Sequence, residues 1–95
     1  MLEDRSLEFI RKTAMRYQAT RVLLFGSSLY MKEREAGDID LAVEGLDIEA
    51  HDAMWNDLMW APELGGMNVD LVRIEDGRPL NVFIDGEGVS IYEGR

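Results

Sequence analysis

The chain has no cysteine, two prolines and a single histidine, His51. Without cysteine there is no disulfide framework, no thiol nucleophile and no zinc–thiolate site, so any metal must be held by oxygen or by His51. Basic side chains are also scarce: 10 Lys and Arg against 19 Asp and Glu leave a formal charge of −9 over 95 residues. Neutralising a phosphate backbone requires clustered cations. No direct nucleic-acid binding is therefore expected, and the acid surplus favours a basic protein partner. Apolar runs are short, as at Val22–Phe25, against the roughly 20 residues that a bilayer span needs, so no membrane association is expected. The leading residues Met1-Leu2-Glu3-Asp4-Arg5 are acidic and lack the apolar stretch of a secretory signal, which points to the cytoplasm.

What is present reads as one globular unit. Hydrophobic residues at 46% and charged residues at 31% argue against intrinsic disorder. The absence of repeats, low-complexity segments or a linker predicts a single domain over 1–95. Leu7, Ile10, Ala14 and Tyr17 recur at helical spacing and predict an amphipathic first helix. Arg21 leads into Val22-Leu23-Leu24-Phe25, an all-apolar run that suits a strand buried on both faces and stops at Gly26-Ser27. A short helix is predicted from Ser27-Ser28 to Glu35. In Asp38-Ile39-Asp40-Leu41-Ala42-Val43 the residues alternate, with Ile39, Leu41 and Val43 on one face and Asp38, Asp40 and Ala42 on the other.

Asp47 is the predicted N-cap of a second long helix that ends before Pro62. Within it, Trp55, Leu58 and Met59 are assigned to the core. Met54 and Trp60 are offset from that stripe and are assigned to contact with a partner or a second copy, as in a homodimer. Met67–Arg73 reads as a third strand, with Asp70 among Val69, Leu71 and Val72. The tail is open: Asp85-Gly86 is either a hairpin turn between Leu80–Ile84 and Val89–Tyr92, or the end of a short helix before an edge strand. His51 is assigned to the surface.

Three features bear on chemistry: Gly26-Ser27 at a strand end, Asp38 and Asp40 on one strand face, and Asp70 inside a third strand. Each has a plain structural explanation, as a turn and cap, a solvent face, and an edge charge that discourages strand pairing. Together they form a candidate cation site. Residues two apart on a strand are about 6.6 Å apart, close enough for their carboxylates to bend onto one hard cation or onto two ions about 3.5–4 Å apart. Mg²⁺ is the expected ion, because it accepts a few carboxylates and takes its remaining ligands from water and substrate phosphates. Glycine permits close backbone approach to a phosphate, and free N–H groups at a helix start, with the Ser27 hydroxyl, suit a nucleoside triphosphate. Such a set is suited to nucleotidyl transfer.

Gly26-Ser27, ten intervening residues and Asp38-Ile39-Asp40-Leu41-Ala42-Val43 resemble the Gly-Ser-x10-Asp-x-Asp signature of the DNA polymerase β-like nucleotidyltransferase superfamily. With the flanking helices and the third acid in Val69-Asp70-Leu71-Val72, the resemblance covers nearly the whole chain. At this length it is similar to the minimal nucleotidyltransferases, the MNT or MntA type, which commonly serve as antitoxins to HEPN-domain ribonucleases. The resemblance implies an α/β (α+β) fold with a mixed sheet flanked by helices. It further implies Asp38, Asp40 and Asp70 as ligands of Mg²⁺, two ions with bound NTP, and Asp70 as the base that prepares the acceptor hydroxyl. Gly26, Ser27, Ser28 and Lys32 would then serve the nucleotide. The implied reaction is transfer of NMP, from ATP or another NTP, to a tyrosine of a HEPN-type partner.

Where many relatives follow Gly-Ser with arginines and a further glycine, this chain has Ser28-Leu29-Tyr30-Met31-Lys32. Lys32 and Arg34 are either replacements for that charge or part of a solvated helix face. Two other readings stand beside the enzyme: an antitoxin that neutralises its partner by docking alone, and nucleotidyl transfer to a small molecule such as an aminoglycoside.

Overall fold

In the computed structural model, residues 2–31, 37–76 and 88–94 are described. Among these residues, two α-helices, α1 (Asp4–Arg16) and α2 (Ile48–Met59), accompany four strands, β1 (Arg21–Phe25), β2 (Asp38–Glu44), β3 (Asn68–Arg73) and β4 (Val89–Glu93). The strands form one mixed sheet in the order β3-β2-β1-β4. β1 runs antiparallel to β2 and to β4, whereas β2 and β3 are parallel. A parallel pair needs a crossover, and α2 supplies it. No helix among the described residues is long and apolar enough to cross a membrane.

The core follows from two periodicities. Leu7, Ile10 and Ala14 of α1 meet Val22 and Leu24 of β1, Ile39, Leu41 and Val43 of β2, and Val69 and Leu71 of β3 in one cluster. The strands are therefore buried on the face that carries the helices. The opposite face has a smaller cluster, Leu23 and Ala42 with Phe25, Val72 and Ile74 against them. Leu23 and Val22 are both buried, so the all-apolar β1 is covered on both faces, as its sequence predicts.

Asp47 caps α2 through its Oδ1, which accepts from the Ala50 N–H at 2.8 Å. The packing of this helix differs from the sequence expectation. Met54 is fully buried with Leu58, while Trp55 is 39% and Trp60 79% exposed. Met54 and Leu58 are one turn apart and share the face turned to the sheet, so Met54 belongs to the core and not to a contact with a second copy. Trp55 and Met59 lie one residue round the helix, toward the outer edge of β3. There the Trp55 Nε1–H donates to the Val69 carbonyl at 2.8 Å, and Met59 Sδ accepts the Val69 N–H at 3.2 Å. His51, expected at the surface, is half-buried, and its Nε2–H donates to the Leu71 carbonyl at 2.5 Å.

The two helices are tied at their ends. The Tyr17 hydroxyl and the Arg16 guanidinium both donate to Asp57 Oδ2, at 2.5 and 3.2 Å. On the other side of the sheet, β4 is the edge strand of the tail. Its register with β1 shifts at Ile91, whose carbonyl accepts from Arg11 Nε at 2.7 Å. Pro79–Ile84 and the Asp85-Gly86 turn lie outside the described residues.

Candidate functional site

Strand alternation puts the acids where the sequence indicates. β2 sends Ile39, Leu41 and Val43 into the core, which leaves Asp38 and Asp40 on the opposite face. The parallel register then pairs Asp40 with Asp70 and Asp38 with Asn68. Paired residues on neighbouring strands project from the same face about 4.8 Å apart. Asp40 and Asp70 are thus side by side, with Asp38 one step along the same strand.

β1 completes the corner. Its last residue, Phe25, pairs with Asp40, and the chain then turns at Gly26. Gly26 has φ +76°, and a Cβ built on it would overlap the Asp40 carboxylate, with Asp40 Cγ 3.0 Å away. This glycine therefore meets two demands at once: a left-handed backbone and close approach to the half-buried Asp40 side chain. From Gly26 the chain forms a 3-10 turn over Gly26–Leu29 where the sequence predicts the start of a short helix, and residues 32–35 of that predicted helix lie outside the described residues. Lys32 and Arg34 lie outside the described residues.

The electrostatics follow from this placement. Burial raises the Asp40 carboxyl above the usual carboxylate range, and the negative charges of Asp70 and then Asp38 push it further. Among the described residues, none of the three carboxylates has a hydrogen-bond donor or a basic partner. Asp38 and Asp70 are exposed. Also among the described residues, no three Asp, Glu, His or Cys side chains converge, as they stand, into a ready cage for one ion. The site is an open acidic corner whose outer members, Asp38 and Asp70, are exposed. Its donor set, all oxygen and all anionic, has the chemistry that a hard divalent cation requires.

Sequence reasoning did not find the supports of this corner. The Val69 and Leu71 carbonyls, on either side of Asp70, are held by Trp55 and His51. The available signal was the four-residue spacing of His51, Trp55 and Met59 on α2.

No protein-family model matches the sequence, and no curated protein matches it. The fold does match solved structures. A crystal structure of the MntA–HepT toxin–antitoxin complex superposes with a TM-score of 0.69 at 21% identity, covering 96% of this chain and 73% of the other. A tri-AMPylated Shewanella oneidensis HEPN toxin in complex with an MNT antitoxin matches with a TM-score of 0.66 at 24% identity, over 93% and 70% of the two chains. A toxin–antitoxin structure with AMP-PNP matches with a TM-score of 0.65 at 20% identity, over 98% and 76%. A mixed four-stranded sheet flanked by helices, matched over almost its whole length, gives this chain the fold of the MntA-type minimal nucleotidyltransferases.

Proposed function

We propose that this chain is a divalent-cation-dependent nucleotidyltransferase that moves a nucleotidyl group from a nucleoside triphosphate to a hydroxyl of a HEPN-type partner protein. The observation that carries the reading is the in-register pair Asp40 and Asp70, with Asp38 on the same face, beside the Gly26 turn. Support comes from the structural neighbours, which are toxin–antitoxin complexes, one with an AMPylated HEPN toxin and one with AMP-PNP. ATP is accordingly the first donor to test, and a tyrosine the first acceptor.

In this reading Asp38, Asp40 and Asp70 would hold Mg²⁺, which would neutralise triphosphate charge and polarise the α-phosphorus. The backbone at Gly26, with Ser27 and Ser28, serves the triphosphate, with Lys32 as the nearest cation in sequence. Asp70 is exposed and stands at the sheet edge, where it takes the proton of the acceptor hydroxyl. A bond forms between that oxygen and the α-phosphorus, the bond to the β-phosphate oxygen breaks, and pyrophosphate leaves. The acid surplus of the chain suits a basic partner.

The test is incubation with α-labelled NTPs, Mg²⁺ and the protein encoded beside this one. The partner should become labelled, and Asp38→Asn with Asp40→Asn should abolish the label. Label that survives the double substitution removes the proposed chemistry. Two observations favour a second reading, neutralisation by docking alone: the uncharged Ser28-Leu29-Tyr30-Met31 after the turn, and the open arrangement of the acids. In that case the double variant still forms a stoichiometric complex without nucleotide and still protects growth.

A further inference from the structure

We propose that His51 and Trp55 are positioning residues for Asp70, acting through the backbone of β3. The inference rests on the carboxylate-site reading above and extends it to the outer side of the strand. Among the described residues β3 is at the edge of the sheet, and no described strand pairs with its outer flank. In a parallel ladder alternate residues direct their backbone groups to opposite sides. Asp70 turns its backbone toward β2, while Val69 and Leu71 turn theirs outward. Those two outward carbonyls are the ones that α2 takes, through Trp55 Nε1–H at 2.8 Å and His51 Nε2–H at 2.5 Å.

The spacings match. One advance of four residues along a helix is about 6.0 Å, and two residues along a strand about 6.6 Å. His51 and Trp55 therefore meet carbonyls two apart without distorting either element, and the residue between those carbonyls is Asp70. The clamp is anchored. The capped start of α2 is held by Asp47, and its buried face by Met54 and Leu58. The far end of β3 is held by Arg73, whose Nε donates to the Leu46 carbonyl at 2.9 Å. Asp70 thus faces Asp40 on a strand fixed from both flanks. A tilt of β3 by a few tenths of an ångström would change the spacing of the two carboxylates directly. Partners hydrogen-bonded to the metal ligands themselves typically affect metal affinity 10–100-fold, and a clamp acting through the backbone on either side of the ligand falls at the lower end of that range.

The experiment titrates the full chain with Mn²⁺ alone and follows the free ion by electron paramagnetic resonance. The variants are Asp70→Asn, Trp55→Phe, His51→Leu and His51→Gln, and each is also melted without metal. Trp55→Phe keeps an aromatic ring and removes the donor, so it carries the test even if His51→Leu fails to fold. The expected result is a roughly tenfold weaker Mn²⁺ affinity for Trp55→Phe and His51→Leu. His51→Gln, which keeps an N–H donor, should recover most of the loss. A purely structural role would lower the melting temperature and leave the affinity of the folded protein unchanged. If Asp70→Asn weakens Mn²⁺ binding while Trp55→Phe and His51→Leu do not, the positioning role is overturned and the carboxylate site stands. If Asp70→Asn itself leaves Mn²⁺ binding unchanged, the carboxylate site falls and the positioning role falls with it.

Discussion

Asp40 and Asp70 face one another in register across the only parallel strand pair of the described sheet. Two like charges on adjacent strands are a standing cost to the fold, and burial of Asp40 adds to it.

The cost sets a pH dependence. A carboxyl whose folded pKa lies above its unfolded value stabilises the fold below the unfolded pKa, and that contribution is lost as pH rises through the folded pKa. Asp40→Asn removes the repulsion, so it should raise the melting temperature at pH 7 by a few degrees, less than about 1 kcal/mol after solvent screening. The gain should shrink as pH falls through the carboxylate range, where Asp40 is protonated in the wild type too. Thermal unfolding of both proteins from pH 3.5 to pH 7 measures it, and a lower melting temperature for the variant at pH 7 contradicts the placement.

A divalent cation should relieve the same repulsion. Mg²⁺ or Mn²⁺ at a hundredfold excess over its Kd should stabilise the wild type by about 2.7 kcal/mol. Asp38→Asn with Asp40→Asn should show no such shift. Equal shifts in both would place the cation elsewhere on this acidic surface.

Gly26→Ala should injure both fold and site. A left-handed conformation costs a residue with a Cβ about 1–2 kcal/mol, and the new methyl would displace the Asp40 carboxylate. Urea unfolding should show the first effect. Nucleotidyl transfer measured well below the melting temperature should show the second, as a loss larger than the unfolded fraction explains.

Met54 and Trp60 should behave oppositely under alanine substitution. Met54 is fully buried, so Met54→Ala should cost about 2–5 kcal/mol. Trp60 is 79% exposed, and Trp60→Ala should stay within about 0.5 kcal/mol in the isolated chain. Denaturant midpoints decide between them.

Local pattern made much of this legible in the sequence. The alternation in β2 assigned its two faces correctly because the period of a strand is two, and Leu7, Ile10 and Ala14 marked the inner stripe of α1. Asp47 was recognisable as a cap from its position before an apolar helix. What escaped the sequence depends on partners distant in the chain. The hydrophobic pattern of α2 is shallow, with Met54, Trp55, Leu58, Met59 and Trp60 crowding several faces, so period alone chose Trp55 over Met54. His51 looked like a surface residue because nothing local shows that it meets a carbonyl 20 residues away. The 3-10 turn at Gly26 likewise reflects contact with Asp40, a residue on the next strand.

The side chains of α2 that grip β3 also determine how the molecule can meet others. A bare strand flank is a template on which another chain can add itself, and such growth leads to filaments. Here the Val69 amide and the Val69 and Leu71 carbonyls are already engaged within the molecule. On this flank, recruitment of another polypeptide must proceed through side-chain complementarity, and the helix acts as a stopper against runaway sheet extension.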